Sequence, residues 1–163
     1  MIELKEKFDR SLFSALATTM EEMAFQEVEQ ELEDTLNPID SNQMLWSKMD
    51  IITPFKCAMA IVVDQSLARD LTETIYGSID PLTDFQVKDA LGELLNTIAG
   101  CFLSELLPSD IPFDVSLPVV GEENLPKLGN NELKYRYAVN GCETVLQFGG
   151  IIWDELADII EGV

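Results

Sequence analysis

The chain has 163 residues, an apolar fraction of 47% and a formal net charge of −20 at pH 7. The length suffices for one domain with its own buried core, and the composition is that of an ordinary globular protein. The charge argues against nucleic acids and anionic membranes as partners, because both are themselves negatively charged.

Residue types and segments that the sequence lacks exclude further classes of catalytic site and further cellular locations. There is no histidine, which excludes serine and cysteine triads, phosphohistidine relays and most transition-metal sites. The three cysteines lie far apart and are odd in number, so neither a disulfide framework nor a zinc site is expected. No apolar run approaches the roughly 18 residues of a membrane span, and the charged start does not resemble a signal peptide. A cytoplasmic location is therefore expected.

Helices and strands are predicted in the same order in both halves of the chain. The first half is predicted to contain a long helix, two strands and a short helix, over residues 8–25, 44–52, 55–63 and 66–71. The second half is predicted to contain a long helix, three strands and a short helix, over residues 89–100, 113–120, 132–140, 143–150 and 155–160. Asn140-Gly141 is predicted to be a two-residue hairpin turn, and residues 25–33 are ambiguous between strand and helix end.

This order indicates an internal repeat. The stretch "SALATTMEEMAF" in the first long helix aligns without gaps with "DALGELLNTIAG" in the second, and "SLARDL" resembles "ELADII". Hairpins rather than β-α-β units favour a mostly antiparallel sheet with long helices packed on it. We therefore predict an α+β fold with internal pseudo-twofold symmetry, a single domain over 1–163 with repeat halves of approximately 1–77 and 78–163.

The second long helix carries an unusual polar face. Its apolar residues recur at helical spacing, while Glu93 and Asn96 fall on the opposite side, flanked by Gly92 and Gly100. Glycine on an exposed helix face costs about 1 kcal/mol relative to alanine. The first helix has Ala17, Thr18, Glu21 and Phe25 at the four matching positions, so it keeps the core stripe and loses the polar group.

Taken alone, a glutamate and an asparagine three residues apart are most simply a solvated helix surface. Loss of the whole group from one repeat favours a function, because a packing requirement would be shared by both copies. Gly92 and Gly100 would allow a partner's backbone to approach closely. Asparagine cannot act as a general base, but its amide can hold a water in line with an electrophile. Phosphoryl transfer is the reaction class in which positioning of that kind is worth most.

The stretch "DALGELLNTIAG", with E-x-x-N and a glycine four residues later, resembles the signature helix of the CheC/CheX/FliY family of chemotaxis phosphatases. The similarity is greatest to the CheX branch, in which one of the two repeated helices carries the motif. The resemblance implies a CheC-like fold and hydrolysis of the aspartyl phosphate of a CheY-type response regulator. It also implies that Asn96 orients the water, that Glu93 pairs with the receiver's active-site lysine, and that the receiver supplies Mg²⁺, with no cofactor or metal held by this chain. Homodimers are expected by the same resemblance.

Two other functions fit the same residues. The helix could belong to a non-catalytic module that binds receivers or flagellar-switch components, or to a structural dimer in which it is inert. Turnover of a phosphorylated receiver by substoichiometric protein would separate an enzyme from a binder.

Overall fold

The structure, a computed structural model, describes residues 1–30, 32, 34–77 and 80–162. The two long helices are equal in length, and each half of the chain adds one short helix. The α-helices in these ranges are α1 (Ile2–Ala24), α2 (Gln65–Tyr76), α3 (Asp84–Leu106) and α4 (Trp153–Glu161). Both short helices end at a glycine in the left-handed conformation, Gly77 and Gly162, which satisfies the last carbonyl groups without steric cost.

Within the described residues, seven strands form one antiparallel sheet. They are β1 (Val28–Glu29), β2 (Met44–Thr53), β3 (Cys57–Asp64), β4 (Asp114–Val115), β5 (Val119–Glu122), β6 (Leu133–Val139) and β7 (Cys142–Gly149). Their order is β1-β6-β7-β3-β2-β4, and β5 also pairs with β2. The predicted α+β class with an antiparallel sheet is confirmed. Glu31 and Glu33, in the ambiguous segment, lie outside the described residues.

The strand order gives the sheet its internal symmetry. The hairpins β2-β3 and β6-β7 meet at the central β3-β7 pair, so each half of the chain supplies one hairpin. The outer strands are exchanged, since β1 pairs with β6 of the second half, whereas β4 and β5 pair with β2 of the first. The two halves therefore complete each other's sheet, which agrees with the predicted pseudo-twofold repeat.

The helices cover one face of this sheet and share a core with it. Phe8 of α1 lies edge-on to Phe102 of α3 and Phe148 of β7, with ring centroids 4.9 and 5.1 Å apart. Burial repeats between the long helices at the spacing of the alignment, with Leu12, Ala15, Leu16, Thr19, Met20 and Ala24 matching Val87, Ala90, Leu91, Leu94, Leu95 and Ala99. This shared pattern places both helices on the sheet in the same way.

Two connections in the second half show where the sequence prediction succeeds and where it fails. Asn140 and Gly141 have φ of 51° and 71° and form the predicted two-residue turn between β6 and β7. The single strand predicted over 113–120 is wrong, because the structure has β4 and β5 separated by the segment that contains Pro118. Proline has no N–H to give to a sheet, so the regular pairing with β2 is interrupted there. This break positions a wall of the site described below.

Cys57, Cys101 and Cys142 are unpaired thiols. Within the part of the chain that the structure describes, no cluster of three or more histidine, cysteine, aspartate or glutamate side chains could hold a metal ion. No helix in those same ranges is both long enough and apolar enough to cross a membrane.

Candidate functional site

Helix α3, which carries the predicted site residues, is fixed at its start by local hydrogen bonds. Thr83 Oγ1 accepts a hydrogen bond from Gln86 N at 3.1 Å, and Gln86 Oε1 accepts one from Thr83 N at 2.9 Å. This reciprocal capping box satisfies two backbone donors that would otherwise lack partners. Arg69 of α2 also donates to Asp84 at 2.6 Å, and the pair is exposed, so its contribution to stability is small. The helix therefore starts at a defined residue.

The core stripe of α3 orients the rest of its surface. Leu91, Leu94, Leu95 and Ile98 are buried, as predicted, and the helix lies against α1 and the sheet. Glu93 and Asn96 consequently face solvent, about one turn apart. Neither side chain makes a hydrogen bond or ion pair with any residue of the described ranges. Next to them, Thr97 Oγ1 donates to the backbone carbonyl of Glu93 at 2.9 Å. Both polar groups are free to meet a partner.

The structure separates the roles of the two glycines. A Cβ placed on Gly100 would meet no described atom within 4 Å outside its own stretch of helix, so the surface beside Asn96 is open there. Gly92 is buried, and its Cβ would lie 3.4 Å from Pro118 Cγ and 3.5 Å from Val120 Cγ2. The expectation that both glycines lie on the open face is therefore wrong for Gly92. Its missing side chain accommodates the β4–β5 segment of the same chain.

A groove runs between α3 and that segment. It encloses about 250 Å³ and is lined by Phe85, Lys88, Asp89, Gly92, Glu93, Pro118 and Val120. A larger cleft of about 590 Å³ lies elsewhere, between residues 125–127 and the strands β6 and β7, and it contains none of the predicted site residues. Glu93 therefore lines a groove that was not predicted from the sequence. Phe85 is eight residues before Glu93 on the same helix and could have been found, whereas Pro118 is brought there by the fold.

The matching surface on α1 has a different shape. Thr18, at the position of Glu93, is half-buried, and Glu21, at the position of Asn96, is exposed. The first repeat therefore has no carboxylate where α3 has Glu93 and no amide where α3 has Asn96. Phe25 follows the last residue of α1 in the left-handed conformation, with φ of 54°, and its side chain is 79% exposed. The helix thus ends where α3 continues past Gly100. An aromatic ring stands where the second repeat is open.

The side chains available limit what the site can do. Burial, with a smaller contribution from the charge of Asp50, raises the pKa of the Cys57 thiol to about 12, so it stays protonated at neutral pH. Burial also raises the pKa of Cys142. With no histidine in the sequence, no activated nucleophile accompanies Glu93 and Asn96. The pair can bind a cation and orient a small polar molecule such as water.

Fold and site together define a class of protein: a duplicated α+β fold that exposes a glutamate and an asparagine, about one turn apart, on one of its two repeated helices. The family model for the chemotaxis phosphatase CheX matches residues 47–139, which include all of α3. The chain belongs to this family.

Solved structures with the same fold extend the match over most of the chain. The chemotaxis protein CheX from Vibrio vulnificus is 17% identical, with 86% of this chain and 94% of that one covered at a TM-score of 0.69. A CheC-like superfamily protein from Shewanella sp. PV-4 is 18% identical, with 87% and 96% covered at 0.68. A chain of the CheX–CheY–BeF3–Mg²⁺ complex from Borrelia burgdorferi is 15% identical, with 86% and 96% covered at 0.63. No curated protein matches in sequence.

Proposed function

We propose that this protein is a phosphatase that accelerates hydrolysis of the aspartyl phosphate on a CheY-type receiver domain, in chemotaxis or a related two-component circuit. The observation that carries the proposal is the pair of exposed, unengaged side chains of Glu93 and Asn96, one turn apart on a rigidly capped helix. Membership of the CheX family and the fold shared with the Borrelia burgdorferi complex support the choice of substrate.

Asn96 acts by positioning. Its amide group holds a water in line with the phosphorus atom, and the oxygen of that water attacks phosphorus as the bond to the aspartate oxygen breaks. The products are inorganic phosphate and the free carboxylate. Because asparagine does not titrate, the proton of the water passes to the phosphoryl oxygens or to solvent rather than to this side chain. The Mg²⁺ ion belongs to the receiver, where it balances the charge on the transferring group.

Glu93 acts mainly in docking. Its carboxylate pairs with the lysine of the receiver's active site and so fixes α3 over the phosphoryl group. Such a pair is enclosed once the complex has formed, where a charge–charge contact is much stronger than in water. Gly100 lets the receiver approach α3 closely on the far side of Asn96. Gly92 contributes to the same surface indirectly, because its lack of a side chain allows Pro118 to pack against α3 beside Glu93.

The remaining expectations form part of the same proposal. Residues 1–163 act as a single domain built from halves of approximately 1–77 and 78–163. The protein works as a homodimer in the cytoplasm, where receiver domains are phosphorylated.

The test is the decay of receiver phosphate with the protein present in substoichiometric amount. An enzyme clears many equivalents of phosphate, whereas a binding module protects or releases at most one. Asn96→Ala should lower the rate by about 10²–10³ and should leave the melting temperature unchanged, because surface substitutions usually alter stability by less than about 0.5 kcal/mol. Loss of folding together with activity would assign Asn96 to structure instead.

A further inference from the structure

The groove beside Glu93 is more apolar than a solvated helix surface requires. Phe85 is 76% exposed at the start of α3, and Gly92, Pro118 and Val120 form the floor. Phe85 and this floor form one continuous apolar patch, and contiguous exposed apolar patches of this kind mark binding grooves and protein contacts. At about 250 Å³ the groove is smaller than the roughly 300–1,000 Å³ of sites for drug-sized molecules. Its size suits one or two protein side chains.

Charge around the groove narrows the kind of side chain that it can take. Lys88, the one cation of the lining, is paired with Glu122 at 3.3 Å. Asp89 and Glu93 carry carboxylates with no ion-pair partner among the described residues. The groove thus offers an apolar floor and an acidic edge, which complements an apolar side chain that stands next to a basic one.

The groove is continuous with the proposed reaction site. Glu93 belongs to both, and Asn96 lies about one turn further along the same exposed face. A receiver domain that places its phosphoryl group at Asn96 and its lysine at Glu93 must therefore also cover the groove. We propose that the groove receives an apolar side chain from the receiver surface next to the phosphoaspartate, with a basic neighbour opposite Asp89. This inference rests on the proposed function for its partner and adds Phe85 as the apolar anchor of the complex.

Phe85→Ala tests the inference without disturbing the fold, because most of the ring is in solvent. Binding is measured against a receiver activated with beryllofluoride, and turnover against the phosphorylated receiver. Truncating a central aromatic anchor typically weakens an interface at least tenfold. We expect Kd and KM to rise by that factor, and Phe85→Leu, which keeps an apolar side chain, to recover most of the loss. Phe25→Ala is the matched control, since its ring is 79% exposed outside the groove and should leave both values unchanged.

The outcomes separate this inference from the proposed function. If the unmodified protein turns over phosphate and Phe85→Ala binds the receiver equally well, the groove is not a docking site and the phosphatase assignment stands. If the unmodified protein binds without turnover and Phe85→Ala loses binding, the groove is supported and the phosphatase assignment fails. If Phe85→Ala instead converts a dimer of the protein alone into monomers by sedimentation, the groove is occupied by a second copy of the chain and the inference is overturned.

Discussion

Replacement of Gly100 should raise stability and lower activity in the same variant. The residue lies inside α3, six positions before the helix ends at Leu106, and a Cβ placed on it would meet no described atom within 4 Å outside its own stretch of helix. No contact among the described residues requires a glycine at this position. If it is present to admit the receiver, any side chain should benefit the free protein and harm the complex.

The stability change follows from helix propensity alone, because no contact is lost or strained. Gly→Ala inside a helix gains about 0.5–1 kcal/mol. For a protein of this size each kcal/mol raises the melting temperature by about 2–4 °C, so Gly100→Ala should melt about 1–4 °C higher. Gly100→Phe should keep part of that gain. Its ring, which reproduces the aromatic of the first repeat, should displace the receiver by more than about 1 Å, and a misplacement of that size can lower the rate about 10²-fold.

The assay combines a thermal melt with receiver-phosphate decay on the same preparations. Activity should fall in the order glycine, alanine, phenylalanine at position 100, while both substituted proteins melt no lower than the parent. Phe25→Gly is the converse exchange at the matching position of α1. It should leave activity unchanged, and its positive φ of 54° suits glycine.

Two results would refute this reasoning. Full turnover by Gly100→Phe would mean that the receiver does not pass over this part of α3. A lower melting temperature for Gly100→Ala would mean that position 100 is packed in solution, and an activity loss would then have a structural cause.

Three further variants test the roles of Glu93, of the first repeat and of the close contact at Gly121. Glu93→Gln keeps the shape and removes the charge, and breaking an enclosed pair from one side should weaken receiver binding by about 2–5 kcal/mol at low and high salt alike; rescue by salt would rule out the ion pair. Thr18→Ala with Glu21→Ala should leave phosphatase activity within about twofold, on the variability typical of surface changes, and a large loss would mean that both helices contribute. Gly121→Ala should lower the free energy of unfolding by about 1–3 kcal/mol in a denaturant titration, because its Cβ would lie 2.8 Å from Trp46 Cε2; an unchanged midpoint would show that the indole can move aside.

Much of the fold could be predicted from short stretches of sequence, because helix faces and tight turns depend on neighbouring residues. The apolar spacing in α3 fixes which side of the helix is buried, so the exposure of Glu93 and Asn96 could be predicted from about four turns of sequence. The turn at Asn140 and Gly141 was equally local, because both residues tolerate positive φ. Comparing the two repeats then showed that only one helix carries the pair.

Contacts between residues that are far apart in the sequence could not be predicted from local patterns. Gly92 looked open because nothing nearby in sequence covers it, and Pro118, which does cover it, arrives only when β4 and β5 add to the edge of the sheet. The end of α1 was predicted within one residue, but the left-handed backbone of Phe25 was not, since helical spacing continues through this residue.

The sequence by itself determined which residues are available for chemistry and which face of each helix they occupy, because a helix repeats every 3.6 residues whatever surrounds it. The tertiary structure alone decided the exchange of outer strands between the halves, the groove between Phe85 and Pro118, and the packing of Pro118 over Gly92. These features depend on which distant segments pack together, and packing is set by the shape of the whole core rather than by any short stretch of the chain.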